Sequence, residues 1–178
     1  MVGINFLKDE SAVEGLPLRI VIAIILFSVI LTLCAKTLNN FVGDMNEKKL
    51  MGELDFIEKN AASMYMNGGA RDINNLLDFP GTVENIRVNI PDNAAFVVFG
   101  AMPQADGSPP VARETHADNV YYYVMADGRV QGKSSAARFS ANDTGLNMPV
   151  VLYPGEYELT LELVRNGNGT YVTIDYSR

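Results

Sequence analysis

Hydrophobic and polar residues follow three different patterns along the chain. Residues 20–35 are apolar on every face of a helix and contain no charge. From residue 37 to residue 67 apolar positions recur every three or four residues, and beyond residue 80 they alternate with polar ones. We therefore predict an α+β fold, in which an N-terminal hydrophobic helix continues into an amphipathic helix. An antiparallel β-sandwich or a single curved sheet is expected to follow.

The charge-free stretch has the character of a membrane span. At ~1.5 Å per residue it is about 24 Å long, against ~30 Å for the hydrocarbon core of a bilayer. Leu16, Leu18 and Leu38 extend it, and Arg19 and Lys36 can place their charges at the two interfaces. We predict a leader over residues 1–15 and a single transmembrane or assembly helix over residues 16–38, in contact with membrane lipid.

The orientation of this span does not follow from its flanking charges. Lys8 and Arg19 precede it, whereas Lys36, Lys48 and Lys49 follow it. Size is more informative, because a short polar leader precedes the span and a folded domain follows it. We expect the protein in the cell membrane, with the C-terminal domain outside the cytoplasm.

Two N-x-T triplets lie in that domain, with Asn142 and Asn168 as the acceptor residues. Such triplets are candidate N-glycosylation sites and agree with an outside location. The segment 152–157 also resembles a loop that enters a strand in many extracellular β modules. Both observations concern location and carry no activity.

The second pattern predicts amphipathic helices over residues 39–79. Five positions line one face of the first helix: Leu50, Leu54, Ile57, Ala61 and Met64. Gly68 and Gly69 are expected to end it, and a short second helix is expected over residues 71–77. The apolar face is predicted to pack on the β domain, with neighbouring subunits as the alternative.

The third pattern predicts a β domain over residues 80–178. Period-two alternation and turn residues indicate strands over residues 83–90, 96–99, 121–125, 129–131, 157–163 and 171–176. The segment 104–119 is rich in proline, glycine and alanine, and we predict a long loop there. The adjacent Tyr121, Tyr122 and Tyr123 are expected to divide between core and cross-strand contacts, with an adhesive face as the alternative.

Charge and cysteine content exclude several classes of protein. The net charge is −7, so the chain lacks the basic surface that nucleic acid requires. Cys34 is the only cysteine, which excludes an intrachain disulfide and fits a small apolar residue of the membrane helix. His116 is the only histidine and is predicted to be a solvated loop residue. We therefore expect no catalytic, metal or cofactor site, and a chain that is not an enzyme.

The stretch DESAVEGLPLRIVIAIIL, residues 9–26, resembles the leader and first helix of archaeal type IV pilin-like proteins with a class III signal peptide. It is similar, more loosely, to the TadE-like pseudopilins. In this family a prepilin peptidase cuts after a small residue, and the hydrophobic helix remains as an assembly element. The resemblance implies cleavage between Gly15 and Leu16, and partners among related pilin subunits.

Three processing fates remain open at this point. An ordinary secretory signal or a lipoprotein signal would need a small residue where Leu33 stands. Cleavage before the apolar run, or no cleavage, fits the residues better. We expect a pilin-like subunit or minor pilin of a cell-surface filament. The alternative is a single-pass tethered binding or sensing module that does not polymerise.

Overall fold

A computed structural model describes residues 11–75, 77–111, 117–141 and 146–177, with the side chains of residues 11–17, 39 and 40 excepted. Within these residues one long helix precedes nine strands. The elements are α1 (Ser11–Asn67), β1 (Arg71–Asp72), β2 (Val83–Ile90), β3 (Ala94–Phe99), β4 (Val120–Met125), β5 (Val130–Ser134), β6 (Phe139–Ser140), β7 (Val150–Leu152), β8 (Gly155–Asn166) and β9 (Gly169–Ser177). The chain divides into two compact units, Met1–Asp44 and Met45–Arg178.

The strands form two sheets. In the first, β8 pairs antiparallel with β9 on one side and with β2 on the other, where β1 also pairs with it in parallel. β6 pairs in parallel with β9 and completes this five-stranded sheet. The second sheet has the order β5-β4-β3-β7 and is antiparallel throughout. The α+β prediction is confirmed, and the two parallel pairings come from strands of only two residues.

The apolar stripe of α1 packs on the β domain, as predicted. Its five members are at most 2% exposed and belong to one core cluster with residues of both sheets. The alternation predicted for β2 is also observed, because Ile86, Val88 and Ile90 are buried in the same cluster. Burial of this stripe explains why the second part of α1 holds its position in the unit Met45–Arg178.

The helix ends where the two glycines were predicted to end it. The amide of Gly68 donates a hydrogen bond to the carbonyl of Met64 at 2.7 Å. A Cβ atom at Gly68 would lie 2.6 Å from the carbonyl oxygen of Met64 and 2.8 Å from Oγ1 of Thr82. A larger residue would therefore displace either the last helical turn or the chain that returns beside it.

The short helix expected over residues 71–77 is wrong. Arg71 and Asp72 form β1, and the guanidinium of Arg71 ion-pairs with Glu162 of β8 at 2.6 Å. The amide of Asp72 donates to Oδ2 of Asp78 at 2.7 Å. These contacts with β8 and with the following turn outweigh the local helical tendency of a segment too short to nucleate a helix.

The other strand predictions are confirmed. β2, β3, the β4–β5 hairpin and the β8–β9 hairpin lie where alternation and turn residues placed them. β6 and β7 were not predicted, because strands of two or three residues are too short to show a period. The described residues of the segment 104–119 contain no helix or strand, as expected of a loop.

The three adjacent tyrosines are all buried, so the adhesive-face alternative is wrong. Tyr121 and Tyr123 point into the main core, whereas Tyr122 packs on the opposite side of its sheet with Phe96 and Val98. The ring of Tyr121 stacks on Phe99 of the neighbouring strand, with centroids 5.7 Å apart. The prediction of core and cross-strand roles is confirmed.

Candidate functional site

The first feature of interest is the apolar stretch of α1. From Leu18 to Leu38 its large hydrophobic side chains are 48–63% exposed, which is about as exposed as a helix surface allows. None of the most apolar window is buried inside the described chain. Water is an unfavourable surrounding for so large an apolar surface, and the described chain provides no cover for it.

The hydroxyl groups in this stretch are satisfied within the helix. Oγ of Ser28 donates to the carbonyl of Ile24, and Oγ1 of Thr32 donates to the carbonyl of Ser28, each at 2.8 Å. Thr37 makes the same contact with the carbonyl of Leu33 at 2.9 Å. Internal hydrogen bonds of this kind remove the need for water and allow the surface to lie in an apolar medium.

Length and composition make this helix a candidate to cross a membrane. Its most apolar window has a mean hydropathy of 2.7. The hydrocarbon core of a bilayer requires about 20 predominantly apolar residues in helical form. Lipid and the apolar helices of other chains are the two surroundings that suit such a surface.

The second part of α1 is tied to the β4–β5 hairpin by a buried carboxylate, Glu47. Oη of Tyr123 donates to Oε1 of Glu47 at 2.9 Å, and Nη1 of Arg129 lies 2.5 Å from Oε2. Burial, together with the hydrogen bond to Glu47, raises the pKa of Tyr123 to about 12. Both oxygens of the carboxylate are thus satisfied, which a buried charge requires.

Two further polar contacts join the helix to the same region. Nζ of Lys133 lies 2.8 Å from Oδ1 of Asp55, and Oγ of Ser135 donates to Oε1 of Glu58 at 2.9 Å. Together with Glu47 they fix the rotation of α1 about its axis as well as its position. One side of the helix therefore packs on the core and contacts the region of β5.

A groove of about 490 Å³ lies between α1 and the neighbouring ends of β2, β8 and β9. It is lined by Glu53, Arg87, Val88, Asn89, Glu156, Tyr157, Glu158 and Ser177. Three carboxylates and one guanidinium give its rim a negative balance, even though Nε of Arg87 donates to Glu158 at 2.7 Å.

The same groove ends at a fixed loop. Oη of Tyr157 donates to the carbonyl of Tyr153 at 3.0 Å and accepts from the amide of Tyr153 at 3.2 Å. The ring of Tyr157 also meets Tyr176 edge to face, with centroids 5.5 Å apart. These two hydrogen bonds hold the start of β8 against the residue that precedes it by two positions.

The residues predicted as processing or modification sites do not converge. Gly15 and Leu16 lie in α1. Asn168 is exposed in the turn between β8 and β9, while Asn142 and His116 lie outside the described residues. Across the described ranges, no group of three potential metal-ligating side chains is close enough together to hold a metal ion.

Comparison with known proteins gave no relative. No family model, no curated protein and no solved structure matches the chain.

No pattern in the sequence indicates the Glu47 contacts or the groove. Glu47 and Arg129 are separated by most of the domain, and so are Glu53 and Glu156. Each residue is an ordinary surface type in its own segment, and only the pairing of β2 with β8 and the docking of α1 bring them together.

Proposed function

We propose that the chain is a pilin-like subunit or minor pilin of a cell-surface filament, anchored in the cell membrane by its N-terminal apolar helix. The unit Met45–Arg178 lies outside the cytoplasm in this proposal. The observation that carries it is the contrast within α1. Side chains from Leu18 to Leu38 have no cover in the described chain, whereas the later stripe is buried.

Two features favour packing between helices over contact with lipid alone. The charge-free run of about 24 Å is shorter than a bilayer core, and a helix bundle does not need to match that thickness. The resemblance of residues 9–26 to archaeal pilin-like leaders adds a cleavage position between Gly15 and Leu16. In a bundle, Arg19 would meet a carboxylate or a free chain end of a neighbouring subunit.

The outer unit suits a surface location. Its two sheets share one core, and we propose that they form a β-sandwich against α1. Asn168 offers an exposed acceptor for a glycan. Related pilin subunits and membrane lipid are the proposed partners, with a prepilin peptidase acting on the leader.

The test is the mass of the mature chain. We expect intact-mass analysis and N-terminal sequencing of protein extracted from its native membrane to show Leu16 as the first residue. A Gly15→Val variant is the matched control, because a branched residue before the cut should block cleavage and leave the leader in place. Finding the leader intact on the wild-type chain would contradict the proposal.

A second candidate function is a single-pass module that binds a ligand and does not polymerise. The groove lined by Tyr157 and the acidic residues is the observation that favours it. This alternative predicts an uncleaved leader and a chain that remains monomeric in the membrane. Cross-linking of the full chain in membranes distinguishes the two, because only a filament subunit gives a ladder of oligomers.

A further inference from the structure

The side of α1 that faces away from the core carries apolar residues of its own. We call the exposed positions of residues 45–66 the outer helix face. Its large apolar members are Met45, Phe56 and Met66, which are 55%, 48% and 67% exposed. At ~100° per residue, Met45, Gly52 and Phe56 lie opposite the buried stripe. The face belongs to the unit Met45–Arg178, but its side chains do not pack in the core of that unit.

Gly52 lies in the middle of this face and has no role in packing the chain itself. A Cβ atom built on it would meet nothing within 4 Å. Glycine in a helix interior destabilises the helix relative to alanine, so its presence is unfavourable for the isolated chain. A flat position beside Phe56 is useful where another backbone or side chain approaches closely.

The outer helix face also carries basic residues. Lys48, Lys49 and Lys59 are exposed. In the part of the chain that the structure describes, none of them forms an ion pair, in contrast to Lys133, which binds Asp55. Three ammonium groups without ion pairs favour a partner surface that carries carboxylates.

The groove beside β8 offers such carboxylates. Its apolar lining residues Val88 and Tyr157 are only 4% exposed, so the charged side chains of its rim form most of the surface that a partner meets. Glu53 and Glu156 stand on its rim, and neither is ion-paired to a described residue. We call this surface the acidic groove. It lies beside the outer helix face and is separate from it, because Glu53 stands between that face and the buried stripe.

We propose that the outer helix face of one copy docks into the acidic groove of a second copy of this chain. The inference rests on the self-association proposed above and names the surfaces that perform it. Because the two surfaces differ, the contact is head-to-tail and leaves a free face and a free groove at the ends, which generates an open chain of subunits. Membrane anchoring keeps the concentration of partners high enough for a small contact.

The first test uses the full chain in its membrane. Cells grown with light isotopes are fused with cells grown with heavy isotopes, so that both forms of the chain share one membrane. A zero-length carbodiimide cross-linker is then added. We expect mixed-isotope cross-links from Lys48, Lys49 or Lys59 to Glu53 or Glu156. The pair Lys133–Asp55, 2.8 Å apart within one copy, is the internal control for folding and reaction. Mixed cross-links that join only other surfaces would overturn the proposal.

The second test reverses the charges. Lys59→Glu and Glu156→Lys should each reduce the cross-linked oligomer several-fold, and the double variant should recover it, because the swap restores opposite charges. Lys59→Arg and Glu156→Asp keep the charges and are the matched controls, expected to assemble as the wild type does. Single reversals that leave the oligomer yield unchanged, with the internal control intact, would overturn the proposal.

The outcomes separate this contact from the proposed function. If the wild-type chain forms oligomers that ignore both reversals, the docking surfaces are wrong and the filament subunit stands. If the wild-type chain gives no mixed-isotope product of any kind, self-association fails and this docking fails with it. Assembly through the acidic groove is expected to weaken at higher salt, because salt screens exposed charges.

Discussion

Two stretches of the same helix α1 differ in what covers them. Between Leu18 and Leu38 the side chains are apolar in all directions, and the described chain buries none of the most apolar window. Beyond Met45 apolar residues occupy one stripe, charged residues fill much of the rest, and the stripe is fully buried against both sheets. The secondary structure is identical in the two stretches.

The difference shows that helix formation alone does not indicate which surface a helix packs against. A helix that is apolar all round needs a surrounding that is apolar all round, which is lipid or other such helices. A helix with one apolar stripe needs one apolar surface, and the β domain supplies it. The number of apolar faces therefore separates the apolar stretch of α1 from the part that belongs to the domain.

The largest expected effect comes from separating the two stretches. A chain that begins at Asn46 should be soluble, monomeric and mainly β, since its core draws on no residue before Leu50. The full chain should stay in the membrane fraction. Fractionation and circular dichroism measure both properties. A truncated chain that precipitates, or that reads as mainly helical, would contradict the separation.

A smaller effect is expected when one leucine is removed from each stretch. Leu54 is 1% exposed in the core and Leu31 is 53% exposed in the apolar stretch. Leu54→Ala should lower the free energy of unfolding of the domain by about 2–5 kcal/mol, because it leaves a cavity. Leu31→Ala is the matched control, with a change within about 0.5 kcal/mol.

Denaturant unfolding of the full chain in detergent, followed by tyrosine fluorescence, reports on the domain in both variants. If both variants lose the same free energy of unfolding, the apolar stretch is part of the folding unit. If neither variant loses stability, the stripe of α1 does not hold the domain together.

The smallest effect distinguishes two tyrosines on adjacent positions. Tyr123→Phe removes the hydrogen bond to Glu47 and should lower the free energy of unfolding by roughly 1 kcal/mol. The hydroxyl of Tyr122 is buried and has no hydrogen-bond partner among the described residues. Tyr122→Phe should therefore be neutral or stabilise the protein by up to about 1 kcal/mol. Thermal or denaturant unfolding compares the pair, and the opposite order would show that the Glu47 contact is not structural.

Much of the fold follows from local patterns in the sequence. The stripe from Leu50 to Met64, the strand at Val83–Ile90 and the two hairpins each contain enough residues to show a period. The conformation of residues 71–77 could not be predicted from a local pattern, because that of Arg71 depends on Glu162, which lies far along the chain. β6 and β7 were not predicted either, because two or three residues show no period and the strands form only by pairing with distant strands.

Of the candidate functional features, only the apolar stretch could be predicted from the sequence. The absence of charge from residue 20 to residue 35 is a local signal and identified the apolar stretch directly. The outer helix face and the acidic groove depend on which sides of α1 and β8 remain uncovered after packing. Glu53 and Glu156 become neighbours only through the tertiary structure, so no spacing in the sequence indicates them.

We propose that the apolar stretch binds copies of the chain to one another as well as to the membrane. The most direct measurement replaces residues 20–35 by leucines of equal number and follows membrane insertion and cross-linked oligomers in the same cells. Leucine keeps the hydrophobicity but changes the shape of the helix surface, on which packing between helices depends. We expect normal insertion and loss of the oligomers. Normal insertion with an unchanged oligomer ladder would contradict the proposal and leave the stretch as an anchor alone.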